Sequence, residues 1–330
     1  MVQLSGITPS GHAQLGNHLG AVRRWAADGG PEDLYFVSDL HAMTTQHNPA
    51  RLRSLATEQL AVLVATGISP DRVFVQSDIA KDLGALTWVL ECTCAYGEAA
   101  RMIQFKEKAA RGGEDGKPGG QAGVRLSLLT YPVLMAADIL LQGADEVPVG
   151  EDQRQHVELA RTLAKRFNTT YGEVFTVPTA VLPVTGARVK DFADPTRKMS
   201  KSAHDSAGVV FVLDEPDQVR RKIRRARTDG GSVPAYAPET RPGIANLLEV
   251  LAACTGGDPV ELADEYASYG VLKDAVADAV IEELRPIRER TKALLDDVAE
   301  LERVRKAGAA RAADRGSHRV SSALRLIGAG

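Results

Sequence analysis

Short apolar runs alternate with segments of helical periodicity through the first two thirds of the chain, and this alternation constrains the fold most. Val2 to Ile7, Leu34 to Val37, Val73 to Gln76 and Val147 to Val149 read as buried strands. Between them Leu15, Leu19 and Val22 recur at helical spacing. So do Leu52, Leu55, Ala56, Leu60, Leu63 and Val64, ahead of Gly67. Residues 82–95 and 152–166 read as two further helices. Strands separated by helices cannot pair as hairpins. They form a parallel sheet covered on both faces, and ligands of such sheets sit beyond the carboxyl ends of the strands. After about residue 205 the strand pattern stops. Segments 216–228, 243–255, 259–268, 273–295 and 297–313 read as helices, with a tail from Arg315 expected to fray. The expectation is therefore an α/β part over 1–205 with a Rossmann-like parallel sheet, and a helical part over 206–330.

The 330 residues carry a net charge of −3, which excludes a protein that coats nucleic acid through a global basic surface but leaves room for a local patch. No stretch reaches the roughly 20 apolar residues of a membrane span, and no signal peptide is recognisable, so a cytoplasmic protein is expected. Three cysteines, Cys92, Cys94 and Cys254, make no disulfide framework or zinc set, and are expected as buried reduced thiols. Residues 111–123 hold six glycines and read as a mobile surface loop.

Two polar segments stand out. The first is Thr8 to Asn17, at the end of the first strand and the start of the first helix. Unpaired backbone N–H groups there suit an anion. The chain has no GxGxxG and no GxxxxGK[ST], so neither the dinucleotide fingerprint nor a P-loop is present. The second is Lys198-Met199-Ser200-Lys201-Ser202, on a loop bounded by Gly, Pro and Asp. Two lysines three apart among hydroxyls can grip a polyphosphate and neutralise a leaving pyrophosphate. Each segment alone also reads as an ordinary turn or a solvated basic loop.

Together they resemble the two ATP signatures of class I aminoacyl-tRNA synthetases. Gln14-Leu15-Gly16-Asn17 is similar to the first in the form found in tryptophanyl enzymes, and Lys198 to Ser202 matches the second letter for letter. The resemblance continues through 104–108, 129–132, 135–140, 147–153, 186–188 and 241–248. It implies a tryptophan–tRNA ligase that takes ATP with Mg²⁺ and has no prosthetic group. Its partners would be L-tryptophan and tRNA(Trp), its assembly a homodimer. Residues 1–205 would be the catalytic domain and 206–330 the anticodon-binding domain, with the last helices packing back on the first. ATP would meet Thr8, Pro9, Ser10, Gly16, Asn17, Gly150, Glu151, Asp152, Val189 and the loop Lys198, Met199, Ser200, Lys201 and Ser202. Lys198, Lys201 and Lys108 would stabilise pyrophosphate.

Tyr131, Met135 and Asp138 fall at i, i+4 and i+7, so they share one helix face. A carboxylate inside so apolar a run needs a donor. Either it pairs with an Arg or a backbone amide in the core, or it awaits a ligand N–H. The resemblance implies the second: Asp138 would accept the indole N–H, with Tyr131 and Met135 lining the ring's slot and Gln153, His41 and Gln104 completing the tryptophan site. A phenylalanine side chain would leave the acceptor unpaired, at a cost of about 1–3 kcal/mol. Asp152 also reads as a helix N-cap, and His41 as a structural histidine.

The chain departs from the family at Thr8 (usually Gln), Leu4 (often aromatic) and Ser38 (often apolar), changes expected to alter the response to indole-like inhibitors. Arg220 to Arg227 packs six cations into eight residues, either as a solvated helix face or as a contact for tRNA phosphates. Three alternatives stay open: a tyrosyl-tRNA synthetase, a small-metabolite adenylyltransferase and a non-catalytic RNA-binding relative.

Overall fold

A computed structural model describes residues 1–102, 125–182, 189–200 and 207–329. Gln104, Lys108, the 111–123 loop, residues 186–188, Lys201 and Ser202 lie outside them.

Strands β1 (Leu4–Ile7), β2 (Leu34–Val37) and β3 (Val73–Val75) pair in parallel in the order β1-β2-β3. Strands β4 (Glu146–Pro148) and β5 (Thr179–Val181) form a second parallel pair. A parallel bridge between Gln3 and Glu146 joins the two sets, and the N–H groups of Asp145 and Glu146 both donate to the Val2 carbonyl. Across the molecule the strands therefore run β3-β2-β1-β4-β5. The direction of succession reverses between β1 and β4, which is where such sheets open a crevice for ligands. All four residues of β2 are buried, as its unbroken apolar run requires of a central parallel strand. β5 is the strand the periodicity misses. It has three residues, none of them buried, too few to carry a period.

The helices covering the sheet are α1 (Pro49–Ala65), α2 (Ala80–Thr93), α3 (Leu126–Gln142) and α4 (Arg154–Tyr171). Asn48 caps α1 by accepting from Arg51 N, with Pro49 in the first turn. The first helical region is broken into Leu15–Asn17, a π-helical stretch His18–Val22 and Arg23–Asp28. It starts at Leu15, inside the Thr8–Asn17 segment rather than at the end of β1.

Beyond residue 207 the long elements are α5 (Pro216–Arg224), α6 (Pro242–Thr255), α7 (Tyr269–Asp296) and α8 (Val298–Leu326). α7 packs on α5, α6 and α1, while α8 lies across β3, α2 and α3. The close approach of α8 to β3 depends on Gly308, where a Cβ would overlap the Val73 carbonyl.

The expected fraying from Arg315 does not occur: α8 continues to Leu326. Arg315 Nε donates to Gln142 O at 2.9 Å and Arg319 Nη1 to Leu141 O at 3.2 Å, so two guanidinium groups meet the last carbonyls of α3. Positive charge there also suits the helix dipole. The cysteines correct a second expectation. Cys92 is exposed on α2, and Cys94 and Cys254 are half-buried. Among the described residues no helix is long and apolar enough to cross a membrane.

Candidate active site

A cavity of about 840 Å³ opens at the carboxyl ends of β1, β2 and β4. β1 delivers Thr8, Pro9 and Ser10 to it, β2 delivers Ser38 and His41, β4 delivers Gly150 and Gln153, and α3 delivers Tyr131, Met135 and Asp138. Asn17 lines it from the first helical turn. The three α3 residues share its wall, as their spacing predicts.

Asp138 is 3% exposed. Among the described residues neither of the two pairings read from the sequence holds it, an Arg or a backbone amide. Gln76 Nε2 donates to both of its oxygens at 2.8 Å, and His41 Nε2 lies 2.9 Å from Oδ2. Burial raises the Asp138 pKa, against the lowering influence of His41 and Gln76. A carboxylate offers about four acceptor positions, so two donors leave capacity for a third. His41 thus combines the two roles weighed for it, orienting Asp138 and lining the cavity. Gln76 was missed. It follows β3 directly, and its place at a strand's carboxyl end is the signal that points to it.

A hydrogen-bonded chain crosses the cavity rim. Gln153 Nε2 donates to Asp152 Oδ2 at 2.8 Å, and Gln153 Oε1 lies 2.9 Å from His156 Nδ1. His156 Nε2 lies 3.0 Å from the Tyr131 hydroxyl. The Tyr131 pKa is pushed up to about 12 by burial and by the charge of Asp152. His156, 1% exposed, was also missed, although it sits three residues from Gln153 on the same helix face. The N-cap expected of Asp152 is not made. Residues Glu151–Gln153 form a 3₁₀ turn, and the residue capping α4 is Gln153. Glu151 and Asp152 are exposed and stand outside the cavity lining.

The polar turn is held from behind by α1. Glu58 accepts from Ala13 N at 3.1 Å and lies 2.6 Å from His12 Nδ1, while Gln59 Nε2 donates to Gly11 O at 2.8 Å. Two of the departing residues meet here: the Thr8 and Ser38 hydroxyls lie 2.9 Å apart. Leu4 lines the same cavity.

The two signatures are brought together. Gln14 Nε2 donates to Met199 O at 3.2 Å, and Met199 N donates to Val189 O at 3.1 Å. Met199 is 2% exposed and belongs to the same apolar cluster as Ala13, Leu15 and Val189. Gly16 stands against Val189, where a Cβ would lie 3.3 Å from the Val189 Cβ. Asn246 of α6 fixes the loop's base, accepting from Lys190 N at 2.8 Å and donating to Lys190 O at 3.0 Å. Lys198 is exposed and Ser200 half-buried. Gly16, Val189, Lys198, Met199 and Ser200 do not line the cavity itself. Gly16 adjoins Asn17, which does line it.

Residues 1–285 match the family profile described as tRNA synthetases class I (W and Y). A Streptomyces coelicolor protein named tryptophan–tRNA ligase 1 is 53% identical over 328 residues, which is 98% of this chain and 96% of that one. The Mycoplasma pneumoniae tryptophanyl-tRNA synthetase structure aligns with a TM-score of 0.87 at 32% identity, covering 100% of this chain and 98% of that one. The Campylobacter jejuni tryptophanyl-tRNA synthetase structure with ADP and tryptophan aligns at 0.83 and 28% identity, over 99% and 100% of the two chains.

Proposed function

The chain belongs to the class I tRNA synthetases of the tryptophan and tyrosine family, and from that premise we propose how its cavity carries out the reaction. The enzyme is a tryptophan–tRNA ligase, with ATP, L-tryptophan and tRNA(Trp) as substrates. The tryptophan carboxylate attacks the α-phosphorus, pyrophosphate leaves, and the acyl group passes from the adenylate to the tRNA 3′ end. Mg²⁺ would arrive as part of the nucleotide substrate and offset the charge of its phosphates.

Asp138 accepts the indole N–H at the cavity wall, and Tyr131 and Met135 flank the ring. His41 and Gln76 hold the carboxylate so that one acceptor position faces the ligand. Gln153, steadied by Asp152 and His156, meets the ammonium group. The nucleotide lies against Thr8, Pro9, Ser10, Asn17 and Gly150, with Glu151 and Asp152 at its rim. Lys198, together with Lys201 and Lys108, neutralises the departing pyrophosphate. No covalent enzyme intermediate is needed, since positioning and charge supply the catalysis.

The tRNA contacts fall on residues 207–329. In α5, Arg220 and Arg224 are paired with Asp278 and Asp274 of α7, and Lys222 with Asp214. Arg221 and Arg225 stay exposed for phosphates. A second copy of the chain covers Trp88, Tyr96 and Leu126, large apolar side chains exposed on the adjacent elements α2, Tyr96–Ala100 and α3.

The observation that carries this reading is a fully buried carboxylate with spare acceptor capacity on the wall of a cavity of ligand size. The test is ATP–pyrophosphate exchange with each amino acid in turn. Exchange that depends on tryptophan, and not on tyrosine, supports it. Exchange driven equally by tyrosine would move the chain to the other branch of the family.

A further inference from the structure

The six cations of 220–227 do not share one environment. Arg221, Arg225 and Arg227 are exposed and the Arg224 side chain is 58% exposed, whereas that of Lys222 is 18% exposed. Lys222 Nζ lies 2.6 Å from Asp214 Oδ2 and 4.7 Å from the centre of the Phe211 ring. The same carboxylate oxygen accepts from Phe211 N at 2.8 Å. One ammonium group therefore holds Phe211 twice. It neutralises the acid that binds the Phe211 amide, and it sits against the Phe211 ring.

The segment that carries Phe211 lies along the first signature. Leu15 N donates to Val210 O and Val212 N to Ala13 O, both at 2.9 Å, so Gln14 and Phe211 face each other in an antiparallel bridge. The Phe211 ring also meets His12, with centroids 5.7 Å apart and planes at 71°. The paired span, Ala13 to Leu15, lies between Ser10 and Asn17, and both of those line the large cavity. Gln14 is in addition the residue that bonds Met199 of the second signature.

We propose that Lys222 is a positioning residue for the nucleotide, acting through Phe211 on the turn from Ser10 to Asn17, and that it makes no contact with tRNA. Two backbone bonds alone hold a register weakly, and a slip of one residue would turn Gln14 away from Met199. A ring fixed by Lys222 and His12 removes that freedom. The basic helix thus carries two kinds of cation, exposed arginines for nucleic-acid phosphates and one inward lysine for the turn that meets ATP. The effect on ATP rests on the proposed function.

Lys222→Met keeps a long apolar stem and removes the charge. In ATP–pyrophosphate exchange it is expected to raise KM for ATP about tenfold, the size of one charge-assisted hydrogen bond, with KM for tryptophan within about twofold. Lys222→Arg keeps a cation that can bond Asp214 and stack on the ring, and is expected to return KM for ATP to within about threefold of the parent. Phe211→Leu is expected to raise KM for ATP as Lys222→Met does, and the double variant to add little, since both act through one ring. The salt slope of tRNA binding is expected to stay unchanged in Lys222→Met, whereas Arg221→Ala lowers it by about 0.7–0.9 for each phosphate lost. Equal rises in KM for both substrates, an unchanged KM for ATP, no recovery in Lys222→Arg, or a salt slope lowered by Lys222→Met each overturns the assignment. If the unaltered chain supports no tryptophan-dependent exchange, the functional reading fails, and equilibrium titration with ATP decides the lysine instead. Affinity about tenfold weaker in Lys222→Met than in the parent upholds its role, and equal affinity overturns it.

Discussion

Asp138, buried, and Glu283, half-buried, are carboxylates that each face a histidine, at 2.9 Å from His41 and 2.7 Å from His18, yet their surroundings drive them in opposite directions. Around Asp138 burial dominates. Its second partner is the neutral amide of Gln76, and its pKa rises. Burial also pushes Glu283 up, but His18 and the Arg23 guanidinium outweigh it and hold the pKa below the ordinary value. The first acid is supported and under-satisfied, as a ligand site should be. The second is saturated, as a joint between two parts of a fold should be. A histidine beside a carboxylate is therefore not a sign of function by itself. The remaining donors and the presence of a cavity decide it.

The sharpest way to break this contrast is to remove each acid in turn. Asp138→Ala is expected to lower kcat/KM for tryptophan in pyrophosphate exchange by about 10²-fold, the loss of a hydrogen bond to a charged acceptor, with KM for ATP little changed. Glu283→Ala is expected to lower the stability of the fold and to leave tryptophan selectivity intact. An Asp138→Ala enzyme that loses ATP and tryptophan affinity equally would erase the distinction.

Opposite pKa shifts also mean opposite pH slopes. Above its ordinary 3.8 and below its raised value, Asp138 holds a proton in the folded chain that the unfolded chain has released. Stability therefore falls as pH climbs through that window. For Glu283 the sign reverses. Its contribution is present above the ordinary 4.5 and is lost as pH falls through the lowered value. Denaturant unfolding near neutrality is then expected to find Asp138→Asn more stable than the parent by about 1–3 kcal/mol, since an isosteric amide need not be kept charged in the interior. Glu283→Gln is expected to be less stable by about 1–2 kcal/mol. Shifts of the same sign in the two variants would sink the comparison.

The sequence marks one side of this contrast far better than the other. The α3 face is legible because a helix has a fixed period: Tyr131, Met135 and Asp138 must share a wall once the helix is granted. β2 is legible because its apolar run is bounded on both sides. What carries no local signal is the partner arriving from elsewhere in the chain. Gln76 reaches Asp138 across 62 positions, and Glu283 reaches His18 across 265. Neither separation leaves a spacing to find. The same reason explains α8. Its continuation past Arg315 depends on Gln142 and Leu141 carbonyls that no neighbouring residue announces. The three departures at Leu4, Thr8 and Ser38 are visible as letters, but their meeting on one cavity wall is visible only in the fold.

The smallest effect comes from acids on the helix that bears Glu283 itself. Asp278 and Asp274 sit on α7 with side chains 65% and 46% exposed, paired with Arg220 and Arg224 of the basic helix. Exposed ion pairs contribute about 0–1 kcal/mol, because water and salt already screen them. Asp278→Asn is accordingly expected to change stability by less than about 0.5 kcal/mol, well below the effect of Glu283→Gln on the same helix. Its effect belongs instead to binding. With Asp278 neutral, Arg220 is free to meet a tRNA phosphate. The plot of log affinity against log salt is then expected to steepen by about 0.7–0.9 for each phosphate gained. Glu283→Gln should leave that slope alone, since its charge is half-buried and paired with His18 and Arg23. If Asp278→Asn left the salt slope unchanged while Arg221→Ala also did nothing to it, α5 would not lie along the tRNA backbone. Its arginines would then serve only to hold α5 against α7.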